Sequence, residues 1–431
     1  MKRNRAGRML VATGAARDVT ADARVGNVAA DPRVGRRRWT ALRPISALLV
    51  LAAALPVSAQ PAATQPQVSQ EPPHVSSPDG ASLRAEARRL AARGAEYLLS
   101  AQEKDGGWGA DKGPGITALA LKALIQEPSV GLKHAAVRRG VELILKSQRE
   151  DGGIYSAEGL LKNYESSVVL SMLAALKDPA YAKQTAALQK FLKDNQWDEG
   201  EGKSPDDAWY GGAGYGHGKR PDLSNTQMML EALRDSGLPK DDPVYKKALV
   251  FIQRCQMLGE TNDQPFAKGA TQGGFIYSPV NGGESKATET VDVEGRAELR
   301  CYGTMTYAGF KSMLYCGLPR DDARVKAALD WIRRYWTLEY NPNMPEKQSR
   351  EGLFYYYHVF ARALDALGEP VIEDRAGRPH AWRQELVERL HKLQRDDGSW
   401  VNEADRWMEG APALTTAYAM LALEAAFPAE K

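Results

Sequence analysis

The chain has 431 residues, 26% of them charged, and a formal net charge of +3 at pH 7. That basic balance sits in residues 1–59, which hold eleven of the 57 Lys+Arg and three of the 54 Asp+Glu; the rest carries 46 bases against 51 acids, a net −5. Such a body offers no nucleic-acid surface, and three cysteines, Cys255, Cys301 and Cys316, are too few for a disulfide framework.

In chain order, the first recognisable element is an apolar run over 45–55. It follows Arg36-Arg37-Arg38 and Arg43 and ends in Val57-Ser58-Ala59. The run is too short to cross a bilayer and has the layout of a secretory signal peptide, so residues 1–59 are expected to be a leader. Residues 60–81, rich in Pro, Gln and Ser, read as a linker with nothing to pack. The expected location is periplasmic or extracellular, with no stable transmembrane span once the leader is removed.

From 82 to 427 the chain reads as six helix-loop-helix units. Their helices fall at 84–101 with 117–124, 133–147 with 165–176, and 181–233 with an insertion over 197–220. The other three pair 244–258 with 304–314, 324–336 with 352–367, and 382–393 with 414–423. First helices carry apolar residues at i, i+3, i+4 with a charged opposite face, and second helices are nearly all apolar, which predicts two concentric layers. A phrase recurs at the joints: Gln102-Glu-Lys-Asp105-Gly106-Gly107-Trp108, Gln148-Arg-Glu-Asp151-Gly152-Gly153-Ile154 and Gln394-Arg-Asp-Asp397-Gly398-Ser399-Trp400. Arg93-Gly94 and Arg139-Gly140 stand nine residues before the first two of these glutamines. A period of forty-odd residues means units that complete their core only by stacking, and six hairpins bury both end faces if they close into an all-α, α6/α6 toroid, with an open superhelix of the HEAT or TPR kind as the alternative. Gly274-Phe-Ile-Tyr277 reads as a strand in a local loop hairpin.

The phrase Gln-x-x-Asp-Gly-Ser/Gly-Trp resembles the repeat of the squalene/hopene cyclase and protein prenyltransferase β-subunit superfamily, over nearly all of 82–427. The resemblance implies that Gln102, Trp108, Gln148, Gln394 and Trp400 are structural glue. It also implies isoprenoid chemistry in a central cavity. The cyclases begin an inner helix with Asp-x-Asp-Asp-Thr-Ala, one carboxylic acid of which protonates an alkene or epoxide. Here the phrase is Asp222-Leu223-Ser224-Asn225-Thr226-Gln227. Only the first Asp is kept, so Asp222 is a catalytic candidate or a helix cap. The prenyltransferases hold zinc with Asp, Cys and His; Glu298, Cys301 and His358 invite that comparison in poor register. No cofactor is expected, and zinc on those three is the alternative to a buried thiol and a core histidine.

The remaining candidates lie in the middle units. Trp209, Tyr210, Arg220, Glu298, Arg300 and Tyr302 are expected to bind a ligand, and Tyr356 and His358 join Asp222 as catalytic candidates. Function should therefore lie on the side made by units three to five, where inner-helix N–H groups, with Arg220 and Arg300, could hold an anionic head group. The expected ligand is a small apolar or lipid-like molecule. Alternatives are a carbohydrate-active hydrolase or lyase using acids among Asp206, Asp207, Glu294, Glu298 and Glu351, or a noncatalytic binding module. Gly-Cys-Gly-Glu-Gln is absent, which excludes thioester capture.

Overall fold

The computed structural model describes residues 80–109, 113–216, 218–287 and 290–428. The expected leader and all but the last two residues of the expected linker lie outside them. Twelve α-helices are present among the described residues. Six are first members of their units: α1 (Gly80–Ser100), α3 (Ala135–Leu145), α5 (Ala182–Asp194), α7 (Pro243–Cys255), α9 (Ala323–Arg334) and α11 (Trp382–Leu393). Between them come α2 (Pro114–Gln126), α4 (Lys162–Leu176), α6 (Leu223–Asp235), α8 (Gly303–Tyr315), α10 (Leu353–Leu367) and α12 (Pro412–Ala426).

Burial sorts the two sets. In α3 only the stripe Ala136, Val137, Gly140, Val141, Ile144 is buried, the pattern of a helix with one face on a core. In α2 every residue but Gln126 is buried, so it has protein on all sides. The even helices pack in succession, α2 on α4 through to α10 on α12, and α12 returns to pack on α2. The odd helices stand outside them, α1 against both α11 and α12. The described residues thus form a closed all-α toroid of six hairpins.

The recurring phrase is the joint between units. Gln102 donates to the Gly106 carbonyl within its own loop and to the Ala136 carbonyl of the next unit's α3, both at 2.8 Å. Arg139 of α3 hydrogen-bonds back to the Gln102 side-chain oxygen. The Trp108 indole donates to Leu98 O at 2.7 Å, and its backbone N–H to Thr117 Oγ1 of α2 at 3.0 Å. The ring closes with the same bonds. Gln394 donates to Gly398 O and to Leu90 O of α1, at 3.0 and 2.9 Å, and Arg93 donates to Gln394 Oε1 at 3.0 Å. Gly398 has φ +85, and a Cβ there would lie 2.4 Å from Arg93 O, so only glycine lets the loop reach the next helix. Arg93 and Arg139 are therefore receivers for the preceding unit's loop.

Two further copies are split by insertions. Gln196 donates to Gly211 O and Val244 O at 2.9 and 3.1 Å, and Gln256 to Gly273 O and Arg324 O, both at 2.8 Å. Ala213 and Phe275 take the place of the Trp, their N–H groups bonded to Thr226 and Thr306. Gln148, by contrast, is exposed, and only its backbone bridges to Ile154. The fifth joint uses other groups: Trp336 Nε1 donates to Glu385 Oε2 at 2.9 Å, and Arg375 N to Arg333 O at 3.1 Å.

Phe275 makes a single bridge to Gln256. The regular hairpin lies further on: β1 (Thr290–Val293) pairs with β2 (Arg296–Leu299). It turns through Glu294 and Gly295, both at positive φ, as a two-residue hairpin loop requires. A second small hairpin, β3 (Ile372–Glu373) with β4 (Pro379–His380), precedes α11.

Candidate functional site

All six inner helices begin at one mouth of the ring, where their first N–H groups need acceptors. Side chains supply them. Asp222 accepts from Asn225 N at 2.8 Å at the start of α6, Asn341 accepts from Thr304 N at 3.0 Å at the start of α8, and Glu409 accepts from Phe354 N and Tyr355 N at 3.2 and 2.8 Å at the start of α10. Asn341 and Glu409 reach these helices from loops that follow α9 and α11. The donors expected to hold an anionic head group are thus already bonded at these three helices, and Arg220 is paired with Glu284.

Above the caps lies a cavity of about 310 Å³. Every inner helix contributes at or near its start: Ile116, Tyr164, Ser224, Met305, Tyr355 and Tyr418. The cavity is therefore central, where the sequence placed function on the side of units three to five. Loops add Tyr215, Tyr277, Tyr302, Met344, Trp407 and Met408. The walls are mainly aromatic and aliphatic, and the tyrosine hydroxyls are bonded: Tyr164 with Tyr418 at 3.2 Å, and Tyr355 with the Ser224 hydroxyl at 3.2 Å and the Gln227 amide N–H at 2.7 Å. Burial holds these phenols well above their usual pKa, so they are neutral. At the rim, Trp407 and Met408 are both at positive φ and both exposed, a strained backbone placed at an opening.

Three buried carboxyls at this mouth hold their protons more tightly than usual, among them Glu165, which burial raises against its hydrogen bonds from Ser156. Asp222 is pushed up to about 6 by burial, against the opposing hydrogen bonds of Asn225 and Tyr277. Glu409, which lines the cavity, is pushed up to about 7 by burial, against the Tyr355 N–H, Asn402 and the Phe354 N–H. Asp222 itself stands behind Tyr215, Asn225 and Tyr277, which line the cavity.

The other sequence candidates are dispersed. Tyr356 is fully buried and turns outward, its hydroxyl donating to Thr337 O at 2.7 Å between the layers. Trp209 packs edge-on against Trp197 in the outer insertion, and Tyr210 donates to Glu199 at 2.8 Å there. Glu298 sits on β2, paired with Arg296 at 2.7 Å, and Arg300 follows that strand. Cys301 is buried, and desolvation pushes its thiol pKa well up. Among the described residues no group of three His, Cys, Asp or Glu side chains gathers as a metal would need, Glu298, Cys301 and His358 included. Tyr302 is the one member of the expected set that lines the cavity.

His358 belongs to the opposite end of the axis. There Glu231 of α6 faces three bases: Lys311, which also donates to Gln227 at 2.6 Å, Arg362 at 3.3 Å and Lys122 at 3.9 Å, with His358 Nε2 at 3.6 Å. Asp235 pairs with Arg362 at 2.8 Å and Lys122 at 3.3 Å. Although burial raises it, the nearby Arg362 and Lys311 charges hold the Glu231 carboxyl well below the usual range. Burial lowers the His358 pKa despite Glu231, so its imidazole is neutral at pH 7. The signal for this network was readable: Lys122, Ser171, Glu231 and Lys311 each stand five residues after the Ser or Thr that anchors a joint, in otherwise apolar helices.

No family model matches the sequence, and no curated protein does. Among solved structures, a protein from Actinoplanes is 18% identical, covering 80% of this chain and 99% of that one, with a TM-score of 0.44. A variant of the type II terpene cyclase MstE from Scytonema in complex with merosterolic acid A (product) is 16% identical, covering 81% and 99%, at 0.48. Another MstE variant, in complex with geranylgeranyl dihydroxybenzoate (substrate), is 16% identical, covering 81% and 99%, at 0.47. At that distance no residue's role passes from these proteins to this chain.

Proposed function

We propose that this chain is an exported toroid that binds an apolar ligand of the isoprenoid class in the aromatic cavity at the inner-helix starts. The observation that carries the reading is the wall itself, six neutral tyrosines with Met305, Met344, Leu161 and Leu414 around about 310 Å³. Concave, mainly apolar spaces of about 300–1,000 Å³ with a few placed polar groups are what small ligands use. With a pKa of about 7, Glu409 is half protonated near neutral pH, and in that form donates a hydrogen bond to a hydroxyl or carbonyl at one end of an otherwise greasy molecule. Asp222, behind Asn225 and Tyr277, fixes those side chains and is the acid nearest a catalytic role. Retention of ligand does not require turnover, and binding is the activity assigned.

The test is mass spectrometry of solvent extracts from the full chain purified from its native host. An isoprenoid at near one per protein is the expected finding, with at least tenfold less, about 1.4 kcal/mol, on Met305→Trp, which fills the cavity. Equal amounts on both proteins, or none on either, overturn the reading. N-terminal sequencing of the same preparation checks export: the mature chain should begin near Gln60.

A further inference from the structure

The other end of the ring opens on a larger space, about 950 Å³, at the C-terminal ends of α2, α4, α6 and α12. Its walls mix aliphatic and aromatic side chains, Ile125, Leu421 and Phe427 among them, with the edge of the ionic network. Among the described acids that line this space, one has no partner. Glu424, in the last turn of α12, lines this space, and both its carboxyl oxygens are covered, with no hydrogen-bond partner among the described residues. Its stem remains partly exposed.

Three physical costs meet at this side chain. A covered carboxyl without a partner has lost its hydration with no hydrogen bond in return. An acid in the last turn of a helix opposes the macrodipole, which there favours a cation. Glu127, in the turn after α2, adds like charge. The base that could relieve it, Lys122, is engaged elsewhere, bonded to Ser171 at 2.6 Å and Asp235 at 3.3 Å. Burial accordingly drives the Glu424 pKa well up, so the group is stored as a neutral acid. Rotation about the partly exposed stem would bring the Glu424 carboxyl into this space, where a cation entering from solvent would remove all three costs together.

We propose that this second cavity is a binding site for a primary alkylamine, with Glu424 as the partner of its ammonium group and the Ile125, Leu421 and Phe427 surface as the seat of its chain. The ammonium arrives charged, the Glu424 carboxyl gives up its proton to solvent, and a carboxylate–ammonium pair forms; one proton is released per amine bound. Arg88 of α1, Lys122 of α2 with Glu127 just after it, Lys177 after α4, Asp235 of α6, and His358, Arg362 and Asp365 of α10 share the cavity with it. Lys122 and Arg362 are both paired with Asp235, and His358, which also lines this space, is neutral at pH 7, so the proton released on binding is assigned to Glu424.

The experiment is isothermal titration of the full chain with n-hexylamine and, separately, n-hexanol, in buffers of different ionisation enthalpy at pH 7. The amine should bind at least tenfold more tightly than the alcohol, with close to one proton released. The isosteric Glu424→Gln should reduce both the preference and the proton release to near zero while leaving ligand retention in the aromatic cavity unchanged. Equal affinity for amine and alcohol, or amine binding without proton release in the unmodified chain, overturns the proposal without any variant. Full proton release by a folded Glu424→Gln does so as well.

Discussion

The two ends of the same six helices treat buried acids in opposite ways. At the starting end Asp222 and Glu409 are surrounded by neutral donors, backbone N–H groups and amides, and their pKa values rise to about 6 and about 7. At the finishing end Glu231 lies among Arg362, Lys311 and Lys122 and its pKa falls. Both are buried, so the difference is the kind of partner. Hydrogen-bonding dipoles did not offset desolvation of the charge, and full counter-charges did. The starting end is thereby left with acids that take up protons at or just below neutral pH beside a greasy cavity, and the finishing end with a fixed ionic plug.

Breaking the plug should have the largest effect. Glu231→Gln leaves Lys311 and Arg362 short of an anion in a buried site, and chemical denaturation should report a loss of about 3–5 kcal/mol. Ligand retention in the aromatic cavity should persist in the fraction that stays folded. A loss under about 1 kcal/mol would mean that the network is not the buried, paired cluster described above.

The next effect is a pH response of opposite sign at the two ends. The folded state holds the Asp222 proton more tightly than the unfolded chain does, so its contribution is full below the unfolded value near 3.8 and is lost as pH rises to about 6. Asp222→Asn keeps a good cap and removes the titration. It should therefore gain on the order of 2–3 kcal/mol relative to wild type between pH 4 and pH 7. Glu231 acts in reverse: its contribution is present above the usual carboxylate range and is lost as pH falls through its depressed folded value. Thermal melting of the two variants across pH should diverge in these directions, and parallel curves would remove the contrast.

The smallest effect is expected where the ends touch. The Tyr355 hydroxyl faces the aromatic cavity and accepts from Gln227, whose oxygen accepts from Lys311 of the plug. Tyr355→Phe should cost about 1 kcal/mol for the stranded amide and change ligand retention less than threefold. A tenfold loss of ligand would instead make this hydroxyl a binding group.

The fold was legible wherever the joint was contiguous. Gln102, Gln394 and their Gly-Trp partners announced the repeat, and the six hairpins follow from it. Gln196 and Gln256 do the same work but stand 15 and 17 residues from the glycine carbonyl they bind, so spacing hid them. Gln148 had the spacing and lacks the contact. The site was harder to read because it is assembled across units. Glu409 acts on the helix of the preceding unit, and of the run Phe354-Tyr355-Tyr356-Tyr357-His358 only Tyr355 lines the cavity, since helical rotation sends its neighbours outward or to the far end. Asp222 was visible as a cap or an acid, and its position behind Tyr277 allows it to be both.

The joint that closes the ring is chemically the joint that links the first two units, and the two ends of the segment meet there, Arg84 hydrogen-bonding to Pro428 O at 3.1 Å. Where along the ring the chain begins is then nearly immaterial to the finished object, which is topologically a necklace with its clasp between α12 and α1. A circular permutant of residues 80–428, clasped there by a short linker and opened at the turn around Lys240, should assemble the same ring, because that new cut severs a surface turn and spares every glutamine joint.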